Sequence, residues 1–352
     1  MMNLAEYRRT ATRLADYLPW AALVGSGVVL NKDGSFQRTA KFRGPDLDSA
    51  VAAELVAVAG RINNAVRRLG SGWSIFVEAQ RSEAATYPDS TFPDPASALV
   101  DAERKAGFEE ADAHFVSGYF LTLLYLPPAE EAARAETWLY EGREKAGVDP
   151  WELLRAFIDR TDRVLALLDG FMPECRWMDD GATLTYLHST ISTNRHRVRV
   201  PEVPMHLDAL LADQPLTGGL EPRLGDAHLR VLTIVGFPTA TTPGLLDEMN
   251  RLPFPYRWST RAILLDKTDA TRLLTRIRRQ WFAKRKSVAA ILKEVMTNEA
   301  SALVDTDAAN KALDADMALQ ELGADVAGMA YVTATVTVWD ADPRLADEKL
   351  RL

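Results

Sequence analysis

Basic side chains crowd one stretch of this sequence: Arg272, Arg276, Arg278, Arg279, Lys284, Arg285 and Lys286, with no acid between Arg272 and Glu294. Leu273, Leu274, Ile277, Trp281 and Val288 interleave with them at three- and four-residue intervals. That spacing predicts a helix over residues 268–297 whose apolar side packs on a sheet and whose other side is a cationic stripe. Such a stripe can hold phosphates, anionic lipid or an acidic partner surface, or it can be a solvated face that answers the chain's many acids.

Other chemistry-bearing residues form weaker patterns. A P-loop needs glycines that turn backbone N–H groups onto phosphates, a Lys for the outer phosphates and a Ser or Thr for magnesium. No GxxxxGK[ST] occurs in the chain. Gly25-Ser26-Gly27 leads into a strand instead of a helix and Thr217-Gly218-Gly219 has no following Lys, so both read as turns. His188, His196 and His206 are not spaced to share a helical face, and zinc needs three or four convergent ligands. Glu110 and His114 would meet at i and i+4 on a helix, where a solvated face is the plainer reading. Neither a Ser-His-Asp arrangement nor a nucleophile elbow is visible. No catalytic, cofactor-binding or metal-binding residue is therefore assigned, and the basic stripe stands as the candidate partner or anion surface.

The elements that would position these groups follow from periodicity and punctuation. Val28-Val29-Leu30 runs into Asp33-Gly34, a strong hairpin signal, and residues 36–42 return with Phe36, Arg38, Ala40 and Phe42 on one face. A helix over 47–69 and a strand over 73–79, with Trp73, Ile75 and Val77 opposite Ser74, Phe76 and Glu78, complete one α+β unit. Strand 119–126 and an amphipathic helix from Pro150 through Leu168 extend it. Residues 195–206, charged and carrying two prolines, read as a linker. Beyond it come a buried-type strand at 228–236, a short helix at 243–252, strands at 256–265 and 329–339, and a helix near 308–322. The expectation is an α+β chain of two subdomains, both of mainly antiparallel sheet with packed helices: 1–198 with the hairpin 28–42, and 206–352, ferredoxin-like. Residues 343–352 read as the opening turns of a further helix, as in a chain cut before another domain.

Composition bounds the function. With 352 residues, 47% of them hydrophobic, the chain can build real cores. A formal net charge of -8 argues against a surface wholly adapted to nucleic acid. Cys175 stands alone, so no intrachain disulfide forms, and a small buried hydrophobe in a reducing cytoplasm is the expected role. The amino-terminal residues are charged throughout, unlike a signal peptide. The apolar runs 18–30 and 119–128 fall short of the ~20 residues that span a bilayer, so any membrane contact is expected to be peripheral.

The segments LPWAALVGSGVVLNKDGSFQRTAKFRGPDL, LVAVAGRINNAVRRLGSGWSIFVEAQR, LHSTIS and VLTIVGFPTATTPGLLDEMNRLPFPYRWSTRAILLD carry a resemblance. Together they resemble the amino-terminal region of the TrbE family, the conjugal-transfer traffic ATPases of type IV secretion. The resemblance implies a non-catalytic assembly region at the cytoplasmic face of the inner membrane, with ATP and Mg bound in a carboxy-terminal P-loop half absent here. It implies as partners other secretion components, including a small inner-membrane subunit, the family's own ATPase domain and further copies of the chain. DNA contact ranks below these. Two other readings stay open: a nucleic-acid-binding module built on the basic helix, and a standalone α+β enzyme with an unrecognised site.

Overall fold

A computed structural model describes residues 13–47, 49–84, 86–110, 114–128, 150–237, 241, 244–284 and 306–352. Its strands form one antiparallel sheet. They are β1 (Trp20–Gly25), β2 (Val28–Asn31), β3 (Phe36–Arg43), β4 (Trp73–Glu83), β5 (Phe115–Tyr125), β6 (Glu174–Trp177), β7 (Leu216–Thr217), β8 (Arg223–Leu224), β9 (Ala227–Thr233), β10 (Tyr256–Leu265) and β11 (Met329–Asp340). The order is β1-β2-β3-β5-β4-β10-β11-β9-β8-β7, and β6 shares the outer edge of β3 with β2. Strands on both sides of residues 195–206 thus belong to the same sheet, joined where β4 pairs with β10 from Ser74↔Ile263 to Arg81↔Tyr256.

The Asp33-Gly34 turn forms as its residues dictate. Gly34 sits at φ 81, where an L side chain is strained, and the Asp33 carboxylate accepts from the N–H and hydroxyl of Ser35. Gly25-Ser26-Gly27 is the β1–β2 turn. Gly27 lies at φ 64, its N–H donates to Asp180 at 2.7 Å, and a Cβ there would collide with the Met178 carbonyl, so the segment is a packed corner and not a phosphate cradle. Gly219, at φ 114, lies in the short turn between β7 and β8.

The helices in this part of the chain are α1 (Leu14–Tyr17), α2 (Ala52–Val66), α3 (Pro95–Glu110), α4 (Pro150–Asp169), α5 (Asp180–Ile191) and α6 (Leu207–Leu211). Alternation along β2 sorts its side chains to two cores. Val28 and Leu30 join Phe36, Trp73, Ile75 and Leu123 beneath the apolar stripe of α4, where Phe157 stacks on Phe36 and Trp73. Val29 joins Trp20, Leu184, Leu187, Leu207 and Leu211 under α5, α1 and α6. Cys175 is buried in the α4 core, and desolvation, with the nearby Asp169 charge, pushes its thiol up to about 11. The Asp179 carboxylate caps the start of α5, accepting from the Ala182 N–H at 2.7 Å.

The second half is covered less. Helices α7 (Lys267–Lys284), α8 (Thr306–Gly323) and α9 (Pro343–Arg351) follow its strands. Phe254, Tyr256 and Val338 make a small core, against which Leu350 of α9 packs. Asp342 caps α9 and Lys349 reaches back to Asp340 at 2.6 Å. β9 differs from the buried strand its sequence predicts: Val231 and Leu232 are exposed. The reason is topological. Its outer neighbour β8 pairs only with Ala227 and His228, so from Arg230 onward the outer edge of β9 has no strand partner among the described residues. The helix expected over 243–252 reduces to a 3-10 turn, Asp247–Arg251. The portion of the helix expected at 268–297 that falls after Lys284 lies outside the described residues.

Candidate docking face and a cationic cleft

α7 begins beside the sheet, with Ala270 buried and Asp269 accepting from the Ser71 hydroxyl, and then pairs with α8. Its apolar residues Leu273, Leu274, Ile277 and Trp281 are half-buried mainly against α8, not against the sheet as their spacing predicts. Lys311 of α8 caps the Trp281 ring at 4.4 Å. The helical hairpin thus satisfies its own apolar side.

That arrangement divides the basic stripe. Arg278 faces α8 and pairs with Asp316 at 2.9 Å, and Arg272 pairs with Asp269 at 3.0 Å one turn back. Arg276 and Arg279 are exposed, have no ion pair among the described residues, and line an open hollow of about 1060 Å³ with Arg272 and Lys267. Arg285, Lys286 and the Lys284 side chain lie outside the described residues. The acid that answers Arg278 comes from a different helix, which is why the acid-free run 272–294 overstated the free charge.

A second polar constellation was not legible in the sequence. Glu78, on the strand face opposite Trp73 and Ile75, is buried. The Arg257 guanidinium lies 2.6 Å from each Glu78 carboxylate oxygen, and the Tyr186 hydroxyl donates to the same carboxylate at 2.9 Å. Burial first, and the Glu78 charge second, raise the Tyr186 pKa well above its ordinary value, so the phenol is a neutral donor. These three residues tie β4, β10 and α5 together, and only a pairing of β4 with β10 could have revealed the match.

Above this network a cleft of about 730 Å³ opens between the sheet and α5. Lys41 and Gln80 line it from the strands, Tyr186 and Ser189 from α5, and Arg195 and Arg197 from the segment expected to be a linker. That segment is held to α5 where the Val198 N–H donates to the Thr185 hydroxyl. The His188 and His196 rings meet at a tilt, with centroids 4.4 Å apart, and His188 Nε2 lies 3.0 Å from Asp213. Burial opposes the Asp213 carboxylate, but hydrogen bonds from Asn194 and His188 outweigh it and hold its pKa below the usual range. The pair of histidines escaped the helical-spacing test because irregular chain, not a helix, brings them together. His114 stacks on Phe108 at 4.1 Å, bonding the carbonyl of that residue, while α3 ends at Glu110.

The family model for the type IV secretion system ATPase VirB4/TrbE, N-terminal domain, matches residues 27–133, the run from the β1–β2 turn through β5. Over 366 residues the chain is 30% identical to the conjugal transfer protein TrbE of Rhizobium radiobacter, an alignment that covers 99% of this chain and 44% of that protein. In Sinorhizobium fredii a probable conjugal transfer protein TrbE is divided between two chains. This chain is 40% identical over 139 residues to the first of them, covering 39% of this chain and 93% of that one. It is 29% identical over 166 residues to the second, covering 47% of this chain and 24% of that one. The chain therefore spans less than half the length of the Rhizobium relative. Matched in its amino-terminal domain and aligned along nearly all its length, the chain belongs to the VirB4/TrbE family of type IV secretion ATPases, of which it is an amino-terminal region.

Proposed function

We propose that this chain is a non-catalytic docking and assembly region of a conjugation ATPase that powers DNA or pilus transfer at the inner membrane. ATP and magnesium would be used by the carboxy-terminal half of the longer relatives, since the 352 residues here contain no GxxxxGK[ST]. The observation that carries the reading is the flank of α7, where Arg276 and Arg279 stand without ion pairs among the described residues of an otherwise acidic protein. Cations presented on one helix face attract anionic lipid headgroups, each contributing about 1 kcal/mol near such a surface. Among the described residues no helix is long and apolar enough to cross a membrane. The partners this role calls for are other secretion components, including a small inner-membrane subunit, the family's ATPase domain and further copies of the chain.

Pelleting with vesicles containing anionic lipid tests the proposal. The chain should sediment with them at low salt and release near physiological salt, where charges are screened beyond ~8 Å. The Arg276→Glu, Arg279→Glu variant should stay in the supernatant with its unfolding midpoint unchanged. Equal pelleting of both proteins would remove the stripe from this role. A steep loss of duplex DNA binding with salt, absent for vesicles, would favour a nucleic-acid module instead.

A further inference from the structure

The cleft beside α5 is separate from the α7 flank, and its charges are unusual for this chain. Lys41 and Arg197 line it with no ion pair among the described residues, and Arg195 reaches only the Ser189 carbonyl there, through a 3.4 Å hydrogen bond. In a protein with 49 acids and 41 Lys and Arg, converging cations without carboxylates call for an explanation. The acids nearby are committed elsewhere. Asp179 lines the cleft but its carboxylate caps the α5 N-terminus, and Glu78 lies beneath Tyr186, already neutralised by Arg257.

The remaining walls are suited to a bound molecule. Gln80 and Ser189 bond to each other at 3.2 Å and keep further donor and acceptor capacity. Phe120, Met178 and Val198 give apolar surface on which a nonpolar body can lie. A concave site of this volume, mostly apolar with a few convergent polar groups, has the dimensions of a small-molecule pocket. Low-dielectric walls around charges of one sign also concentrate ions of the other.

We infer that this cleft binds a soluble phosphate monoester, its phosphate held by Lys41, Arg195 and Arg197 and its organic body laid against Phe120 and Val198. A phosphate dianion matches the excess of cations better than a single carboxylate, and planar guanidinium groups engage its oxygens two at a time. Strands β3 and β5 and the 194–198 segment contribute, so occupancy would also fasten that segment to the sheet.

Calorimetry with phenyl phosphate at low ionic strength provides the test, on the full chain. We expect saturable one-to-one binding with Kd at or below ~1 mM, that is at least about 4 kcal/mol. Inorganic phosphate, without an apolar body, should bind more weakly. Lys41→Ala with Arg197→Ala, both on exposed side chains, should weaken phenyl phosphate at least tenfold, whereas Arg276→Glu with Arg279→Glu should leave it unchanged. Binding that survives the cleft variant, or that is lost in the α7 variant, would overturn the assignment, as would no heat up to about 10-fold above that concentration. If phenyl phosphate fails while vesicle binding falls in the cleft variant, the phosphate belongs to a lipid headgroup and the soluble-ligand proposal is wrong.

Discussion

The two halves of the sheet are built from similar sequence and finished differently. β2, β3 and β5 lie between α4 on one face and α5 with α6 on the other, and Val28, Val29, Leu30 and Phe36 are wholly buried. β11 is rich in β-branched residues and β9 and β10 carry several apolar ones, yet Val231, Leu232, Ile263, Tyr331 and Val332 stand exposed. Strands form in both halves, but the first encloses more of its apolar side chains, although Val77 and Val116 of its strands are exposed. The first half, whose strands β2 to β5 fall within the residues 27–133 that the family model matches, reads as the scaffold. The second, with open strand faces and the cationic flank of α7, has the features of a surface meant to be covered.

Paired substitutions, one in each half, give the largest expected contrast. Trp73 is 2% exposed and its ring packs 4.8 Å from Tyr125 and 5.8 Å from Phe157. Trp73→Ala should cost about 3–5 kcal/mol through lost burial and the cavity left behind. Val332→Ala, at a site 44% exposed, should cost less than about 1 kcal/mol. Urea titrations of both variants make the comparison, and similar losses would mean the open half is as tightly held as the other.

The seam between the halves comes next in size. Glu78→Ala would strand the Arg257 guanidinium, 16% exposed, without its carboxylate, and should cost about 3 kcal/mol. Glu78→Leu with Arg257→Met should recover most of that loss, because the desolvation of both charges disappears together. Failure of the double substitution to recover would show that the pair specifies the β4–β10 register and does more than neutralise itself.

The smallest effect concerns pH and α9. A hydrogen bond from Lys349 holds the Asp340 carboxyl below its ordinary pKa. A folded-state pKa depressed in this way contributes stability that is complete above the unfolded value near ~3.9 and is lost as pH falls through the folded value. Denaturation midpoints of the wild type should therefore drop more steeply below about pH 4 than those of Lys349→Met. Parallel profiles would show that the ion pair adds nothing to the attachment of α9.

What the sequence disclosed follows from the same contrast. The Asp33-Gly34 hairpin, the α4 stripe and the long strands β10 and β11 are written locally, in turn chemistry and period, and their outlines match the structure closely. Alternation placed Glu78 on the face opposite Trp73 and Ile75, but its burial depends on α5 and on Arg257 of β10, which local period does not report. β9 looked buried because its residues are apolar, while its exposure depends on how short β8 is. The Arg278–Asp316 pair and the His188–His196 ring contact join residues from separate elements, so spacing within a helix could not report them.

Native-state hydrogen exchange at increasing low denaturant measures the difference between the halves most directly, since it resolves local from global opening strand by strand. Amides of β2, β3 and β5 should exchange only by global unfolding, while those of β9 and α7 exchange through openings of markedly lower free energy. Uniform protection from β2 through β9, all at the global value, would contradict the division into an enclosed half and an open one.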